Sequence, residues 1–394
     1  MKQILAIIWM NLRAVPQRAG SSLVIVIGIA GVVAVLVALL AMSQGFGATL
    51  KATGKSDRVM FLSAGVTAEL SSVLAGDVIP VLRELPGIAR DAEGRPLASA
   101  EVVVITELKR GTGAQRADVN VSLRGVEPAG LKLRPEVKLI EGRWFTPGLR
   151  EITVGKGAAM QFEGVKLGAT LRFRGSEWTV VGTFSSDGDA HESELWTDAD
   201  TARSAFGRGN SASSLVAQMQ SVQSIEPIKA AVKADPRLRV DAAPELEYFA
   251  SQSKQFTQQI GLLTGIVAAI MAVGALFGAL NSMYSAVSTR QVEIATLRAI
   301  GFGGLPVALS VLVEAMLLAL SGGVLGGFIA YVLFNNMSVS TLGSNFTQVA
   351  FNFAVTPALM EKGLSWALAI GLLGGLPPAL KAARQPVVEA LRAK

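Results

Sequence analysis

Leu23–Met42 reads LVIVIGIAGVVAVLVALLAM, and Ile260–Val287 reads IGLLTGIVAAIMAVGALFGALNSMYSAV. Neither stretch holds a charged residue. Two more apolar stretches, Leu305–Phe334 and Gly363–Leu380, follow closely on the second. Each reaches or approaches the ~20 apolar residues that a helix needs to cross a bilayer. Between the first and second lies a polar stretch, Ser43–Gln259, long enough for a folded domain. One span, a large domain and three further spans predict an α-helical integral membrane protein with one large extramembrane domain.

Charge orients these spans. The chain carries 36 Lys+Arg and 30 Asp+Glu, a net charge of +6. Ser43–Gln259 holds 26 of each sign and is neutral, so the excess sits on the membrane part. Lys2, Arg13 and Arg18 precede the first span. Arg290 and Arg298, with Glu293, lie between the second and third. Lys381, Arg384, Arg392 and Lys394, with Glu389, follow the fourth. Asn335–Leu359 has no charge. Short basic loops stay cytoplasmic. Both termini and the Arg290–Gly301 loop are therefore expected inside, and the large domain outside. A nucleic-acid partner is excluded as the reason for the basic balance, because the extramembrane domain is neutral.

The N-terminus does not read as a cleaved signal peptide. Such a peptide has an apolar core of ~7–15 residues, whereas this core is about 20 long and starts after residue 22. Ile4, Leu5, Ile8 and Leu12 recur at helical spacing, with Trp9 as an interface anchor and Pro16 as a stop. That predicts an amphipathic helix over Met1–Val15, lying on the inner surface. The chain has no cysteine, which excludes Cys-based metal sites and nucleophiles. A domain of about 210 residues buries an adequate core without disulfides.

The domain alternates strand and helix signals. Arg58–Ala64 reads as a strand and Thr67–Glu84 as a helix with apolar positions Leu70, Val73, Leu74, Val78, Val81 and Leu82. Glu101–Lys109 and Asp118–Gly125 read as strands, and Ser214–Met219, Ile225–Ala234 and Leu238–Ala242 as strand, helix and strand. About residues 126–207 differ, with short strands and Gly turns at Glu151–Val154, Thr170–Arg174 and Trp178–Phe184. The expected fold is a mixed α/β subdomain interrupted by a small β-rich one. From Pro244 the chain turns helical and enters the second span without a breaker, which predicts a rigid stalk.

Several motifs mislead. Gly54-Lys55-Ser56 mimics the end of a phosphate-binding loop, but the first glycine of that pattern falls on Thr49. Leu320-Ser321-Gly322-Gly323 matches four letters of the ATP-binding-cassette signature inside an apolar span. His191, the single histidine, sits among Asp187, Asp189, Glu192 and Glu194. Nothing in that spacing enforces converging ligands, so no metal is assigned and a solvated acidic loop is expected. With one His and no Cys, the usual catalytic arrangements lack parts.

The membrane part carries more. Gly322 and Gly326, then Gly323 and Gly327, are four apart and form two small-residue ridges on the third span. Gly274 and Gly278 repeat the spacing in the second span, and Gly371 and Gly375 in the fourth. Glu314 is an ionisable group well inside a span, where such groups usually face protein or water, and its place early in a long helix equally fits a position near the inner interface. In Arg290–Gly301, Val292, Ile294, Ala295, Leu297 and Ile300 supply an apolar side, and Arg290, Glu293 and Arg298 a polar one. A short amphipathic helix stopped by Gly301 fits, either lying on lipid or docking into another protein.

At these residues the chain resembles the permeases of the MacB/LolC/FtsX type, the type VII ATP-binding-cassette systems. Arg290-Gln-Val-Glu-Ile-Ala-Thr-Leu-Arg-Ala-Ile-Gly301 is similar to that family's R-x-x-E-I-x-x-L-R-A-I-G loop. The resemblance extends to Glu314, the Gly-rich third span and the ending Pro378–Arg392. In the domain it extends to Glu141-Gly-Arg-Trp-Phe145, Val165-Lys-Leu-Gly168 and Trp178-Thr-Val-Val-Gly182.

The resemblance implies a bacterial inner-membrane permease with a periplasmic domain. It implies pairing with a second copy or a paralogue, and two separate cytoplasmic ATPase subunits that hold ATP and Mg. This chain itself would bind no cofactor and catalyse nothing. ATPase docking falls to Arg290, Glu293, Leu297 and Arg298, with Glu314 as polar support. ATPase motion would be transmitted to the periplasmic domain to export or extract a hydrophobic or amphiphilic substrate or a lipoprotein. The alternative is a mechanotransmitter that regulates a periplasmic cell-wall enzyme without transport. A periplasmic membrane-fusion protein or lipoprotein chaperone is a further implied partner of the first reading.

The organisation expected is then a cytoplasmic amphipathic helix (1–20), a first span (21–43) and a periplasmic domain (44–256, β-rich insert about 126–207). A second span with stalk (257–289), a coupling helix (290–303) and a third span (304–334) follow. A periplasmic loop (335–358), a fourth span (359–381) and a cytoplasmic tail (382–394) complete it. A reporter active only outside the cytoplasm should work when fused after Gly188 and fail when fused after Gly301. Activity at Gly301 overturns the charge-based orientation.

Overall fold

The computed structural model describes residues 19–110, 117–343 and 347–386. The helix expected over Met1–Val15 and most of the tail lie outside the described residues. In chain order the elements are α1 (Ala19–Thr53), β1 (Arg58–Ser63), α2 (Val78–Arg83), β2 (Ala98–Arg110), β3 (Ala117–Val126), α3 (Pro128–Leu133), β4 (Lys138–Gly142) and β5 (Glu151–Gly155). Next come α4 (Lys156–Gln161), β6 (Thr170–Phe173), β7 (Ser176–Ser185), β8 (Leu195–Asp198), α5 (Ala199–Ala205), β9 (Ser214–Gln218), α6 (Ile225–Ala234) and β10 (Val240–Pro244). The chain ends with α7 (Glu245–Thr289), α8 (Gln291–Ala299), α9 (Gly304–Phe334), β11 (Ser338–Leu342), β12 (Gln348–Asn352) and α10 (Pro357–Arg384). Two compact units result. One is a membrane unit, with breaks after Gln44 and between Met337 and Phe353. The other is an extramembrane unit of Gly45–Thr257 and Ser338–Asn352.

Four helices among the described residues, α1, α7, α9 and α10, are long and apolar enough to cross a membrane. α7 runs 45 residues without a break. At ~1.5 Å per residue that is about 68 Å, more than twice the ~30 Å of a bilayer's hydrocarbon core. Its continuity follows from the absence of Gly-Pro punctuation between Glu245 and the apolar stretch.

In the membrane unit, α9 is the element on which α1 and α10 both pack. A Cβ added at Gly326 would stand 2.4 Å from the Ala30 carbonyl of α1, and one at Gly322 2.9 Å from the Val26 carbonyl. On the other ridge a Cβ at Gly323 would meet Ala367 of α10 at 2.8 Å, and one at Gly327 the Met360 sulfur at 3.1 Å. Without a hydrophobic driving force between helices in lipid, such close backbone approach supplies the attraction. The two glycines of the four letters that mimic a nucleotide-binding signature are therefore packing residues, while Leu320 and Ser321 are exposed. Gly371 and Gly375 of α10 return the contact, at 2.4 Å from Ala319 and 2.5 Å from Ala315. Gly274 and Gly278 of α7 meet nothing within 4 Å.

In the extramembrane unit one ten-stranded sheet runs in the order β10-β1-β9-β2-β3-β8-β5-β7-β4, with β6 paired to β7. The first core lies on one end of the sheet and includes Val59, Phe61, Leu82, Ala100, Leu215 and Ile228. The second includes Val104, Val121, Ile152, Trp178 and Leu195. The expected β-rich insert does not form a separate sheet. β2 pairs with β9 over Ala98–Glu101 and with β3 over Val102–Arg110, so one strand serves both halves. The insert also contains α3, α4 and α5 as well as strands.

Two local expectations are corrected. Thr67–Glu84 is not one helix but a short turn at Glu69–Ser71 followed by α2. Between them Leu74 exchanges backbone hydrogen bonds with Ala212 at 2.7 and 2.9 Å, and the Val73 N–H donates to the Ser63 hydroxyl. These distant partners outbid local helix bonds. The stretch 335–358 is not a plain loop. β11 and β12 form an antiparallel hairpin that joins the extramembrane unit, where the Ala350 N–H donates to Ser193 Oγ at 2.8 Å.

Gly54, the false phosphate-loop glycine, marks a close approach. A Cβ there would lie 2.5 Å from the Leu246 Cα at the start of α7. Within the same unit Phe46 packs at a tilt against Phe256, with ring centres 4.0 Å apart, and meets Phe351 edge-on at 5.4 Å.

His191 corrects the expectation of a solvated acidic loop. It is 1% exposed, and its Nδ1 lies 3.0 Å from Glu194 Oε2. Glu194 in turn accepts from Arg124 Nε and Nη2 at 2.8 and 2.9 Å and from the Trp196 indole at 2.8 Å. Arg124 also donates to both oxygens of Glu69 and to Glu101. Arg134 holds the second face of Glu101 and stands 3.7 Å from Glu245. Arg58 donates to Glu245 at 2.6 Å and to Glu136 at 2.8 Å. The result is one continuous buried network of arginines and glutamates at the junction of the two cores.

Burial acts to raise the Glu194 carboxyl, but Arg124 and His191 beside it hold it well below the usual carboxylate range. Glu101, desolvated yet facing Arg134 and Arg124, is lowered as well. Both bind protons more readily in the unfolded chain. Their contribution is therefore present above the ordinary value of about 4.3 and is lost as pH falls through their folded values. Unfolding by denaturant, followed by Trp fluorescence, should show stability falling as the pH drops below about 4.3. Arg124→Met should cost about 3–5 kcal/mol at neutral pH, because Glu69 and Glu194 lose their guanidinium partner and Glu101 loses one of its two. Adding Glu194→Gln to that variant should restore part of the loss. An unchanged midpoint in Arg124→Met would sink the assignment.

Candidate functional site

The break between α7 and α8 falls on Arg290, whose backbone leaves the helical region at φ −109° and ψ 11°. α8 then runs nine residues, Gln291–Ala299. Gly301 ends it at φ +103°, a left-handed conformation that glycine adopts without strain. The Gly301 N–H donates to the Arg298 carbonyl at 3.2 Å and the Phe302 N–H to the Leu297 carbonyl at 3.1 Å. These two bonds are those of a Schellman cap. α8 is thus a helix with a defined start and stop, joined to α9 by a tight turn.

Two polar side chains hold α8 from within. Arg290 Nη1 donates to Glu314 Oε2 of α9 at 3.1 Å, with both side chains buried. Glu314 therefore faces protein, and its partner is Arg290. Arg290 Nε also lies 3.5 Å from Glu293. Arg298 donates through Nη1 to the carbonyl of Gln385, just past the end of α10. Ile294 and Ala295 are buried on the same inward side. α8 is in this way wired to α7 by the chain, to α9 by an ion pair and to α10 by a hydrogen bond.

The outward side is a clean arc. Val292 is 50% exposed and Ile300 68%, and Glu293, Thr296 and Ala299 are exposed with them. Leu305, at the start of α9, is exposed as well. The partition differs from the expected one at three positions. Arg290 turns inward, while Val292 and Ile300 turn outward. The signal was in the spacing: 292, 296 and 300 are four apart and share one helix face. Of the residues assigned to docking, Glu293 lies on the open face, Leu297 and Arg298 are half-buried, and Arg290 is buried. Of the six packing glycines, Gly322, Gly323, Gly326 and Gly327 are in helix contacts and Gly274 and Gly278 are open.

What this arrangement offers is a rigid exposed ledge: apolar at Val292, Ile300 and Leu305, anionic at Glu293. It is tied to α7 by the chain, to α9 by a buried ion pair and to α10 by a part-buried hydrogen bond. A charge pair inside a span is costly unless each member satisfies the other, so the Arg290–Glu314 pair locks the register between α8 and α9.

A family model described as the MacB-like periplasmic core domain matches residues 22–235, more than half of the chain. One described as the FtsX-like permease C-terminal matches residues 265–387. The chain is 25% identical over 404 residues to the macrolide export ATP-binding/permease protein MacB of Chlorobium luteolum, covering 94% of this chain and 57% of that protein. It is 24% identical over 266 residues to an uncharacterised ABC transporter permease of Methanocaldococcus jannaschii, covering 64% and 65%. With the uncharacterised ABC transporter permease YvrN of Bacillus subtilis it shares 28% over 148 residues, 38% and 34%. The chain thus spans between about a third and two thirds of these relatives' own lengths. The crystal structure of the periplasmic region of MacB from Actinobacillus actinomycetemcomitans covers 53% of this chain and 94% of that chain, at 13% identity and a TM-score of 0.36. Between them the two family models take in all of the extramembrane sheet but β10, the α8 ledge and the last two spans, and the chain belongs to the MacB/FtsX-like permeases of type VII ABC transporters.

Proposed function

We propose that α8 is the coupling helix of this permease and docks on a cytoplasmic ABC ATPase encoded outside these 394 residues. Two permeases and two ATPases form the working complex. ATP-driven closure of the ATPases moves α8, and the long helices α1 and α7 carry the motion to the periplasmic domain. There it drives export or extraction of a hydrophobic or amphiphilic substrate or a lipoprotein. The observation that supports this reading most is the wiring of α8: its inner face is bonded to α9 and α10, and its outer face is open and part apolar. A helix that merely rested on lipid would need no buried ion pair to a neighbouring span.

Two substitutions separate docking from folding. Glu293 is exposed and its contact with Arg290 is a long surface ion pair, so Glu293→Lys should cost folding about 0–1 kcal/mol, while like charges brought together at a contact weaken association by several kcal/mol. Co-purification of the ATPase with matched amounts of wild-type and Glu293→Lys permease should show a marked loss. Equal recovery with unchanged ATPase stimulation would mean that α8 is not the coupling element.

Arg290→Met should behave differently. It leaves Glu314 buried without a counterion and should lower stability in detergent by about 3–5 kcal/mol. The double variant Arg290→Met, Glu314→Leu should recover most of that loss in a thermal melt. A single variant as stable as wild type would show that the pair does not hold α8 to α9.

A further inference from the structure

At one end of the membrane unit the last turns of α7 and α10 leave an open groove of about 320 Å³. Its wall carries Tyr284 and Ser288 from α7, Gln291 from the first turn of α8, Lys381 and Arg384 from α10, and Pro386 beyond it. Lys381 Nζ stands 5.2 Å from the centre of the Tyr284 ring, a cation–π contact that fixes the ammonium at the groove's mouth. Arg384 is exposed beside it. Neither cation makes an ion pair with a described residue, and no carboxylate is among the described residues that line the groove. Arg298 of α8 bonds the Gln385 carbonyl and so holds the chain that closes one side.

The groove sits where the apolar segments of both helices end. Val287 and Leu380 are the last apolar residues before Ser288 and Lys381. Tyr284, with an apolar ring and a polar tip, belongs at the headgroup level of a bilayer. Away from the groove the exposed surface turns apolar. Phe277 lies two turns before Tyr284, and Leu373, Leu376 and Leu380 lie on the α10 face that leads to Arg384. A molecule with an anionic head and apolar chains matches this sequence of surfaces in order. The guanidinium of Arg384 offers a paired set of donors that suits a phosphate, and Lys381 a point charge next to it. Ser288 and Gln291 add neutral hydrogen-bonding groups for headgroup oxygens.

We propose that this groove is a binding site for the headgroup of an anionic phospholipid, with its acyl chains laid on the exposed apolar face of α7 and α10. The site is separate from the outward ledge of α8 and does not depend on ATPase docking there. Bound lipid would tie the inner ends of α7 and α10 together next to the segment that Arg298 holds.

Native mass spectrometry tests this on the purified full chain in detergent, titrated with equal amounts of phosphatidylglycerol and phosphatidylcholine. Wild type should retain one phosphatidylglycerol per chain with a preference of about tenfold, well above the diffuse attraction that scattered basic residues exert. Lys381→Gln with Arg384→Gln should abolish the preference, and Tyr284→Leu should weaken it by releasing Lys381. Lys51→Gln with Lys362→Gln removes two exposed cations elsewhere and should leave it intact. Equal loss in both double variants would reduce the effect to general charge and overturn the site. No preference in wild type would overturn it too. So would a Lys381→Gln, Arg384→Gln variant that keeps the lipid preference but loses the ATPase, since the groove would then be a protein-docking surface.

Discussion

The extramembrane unit depends on where it puts the charge of Arg124. The guanidinium is 2% exposed and is surrounded by Glu69, Glu101 and Glu194, three carboxylates from three separate parts of the chain. Removing such a charge from water costs several kcal/mol, and the cost is offset only when every donor finds an acceptor in good geometry. That demand sets the relative placement of the Glu69 turn, β2, β3 and the segment before β8. It also reaches further. Glu101 binds Arg134, Arg134 approaches Glu245, and Glu245 binds Arg58 on β1. Tyr248 OH accepts the Glu69 backbone N–H, so the first turn of α7 is tied in as well. A network of this kind adds less to stability than an apolar core of the same volume would. What it adds is specificity, because a shifted strand or helix would strand a buried charge.

The membrane unit meets the same constraint with different means. Its helices gain little from burying apolar groups against one another, since lipid is as apolar as they are. Contact is therefore made where side chains are missing. The two glycine ridges of α9 receive α1 and α10, and the backbones come close enough for dispersion to hold them. The Arg290–Glu314 pair then fixes how α8 sits against α9. Both units thus use a few buried arginine–glutamate bonds to set register, and leave the bulk of the attraction to apolar packing.

This division bears on the proposed coupling role of α8. α8 is joined to α7 by the chain, to α9 by the Arg290–Glu314 pair and to α10 by the Arg298–Gln385 hydrogen bond. α7 leads from Arg290 to Glu245 as one helix, and its first residues end in the Arg124 network. Gly54 makes a close contact with the start of α7 and Gly301 a turn, while Gly274 and Gly278 of α7 meet nothing within 4 Å.

The spans, their count among the described residues and the α8 helix were legible in the sequence. Apolar run length is a local and additive property, and the bilayer asks a one-dimensional question of it. The α6 helix and strands β5, β6 and β7 were legible for a similar reason, since each shows its period within a few residues. The inward turn of Arg290 and the outward turn of Val292 were present in the helical spacing, but composition masked them. A basic residue looked like surface and a valine looked like core. The partners of Arg124 lay beyond such reading. They stand 55 and 70 residues away at Glu69 and Glu194, and locally Glu69 reads as part of a helix and Glu194 as part of a solvated acidic loop. The same holds for His191, which reads as part of a solvated loop and lies buried against Glu194 and Trp196. What the sequence by itself determined was which segments cross a membrane and which face water. Only the tertiary structure decided which charges are buried, because the cost of burying a charge depends on the distant group that compensates it.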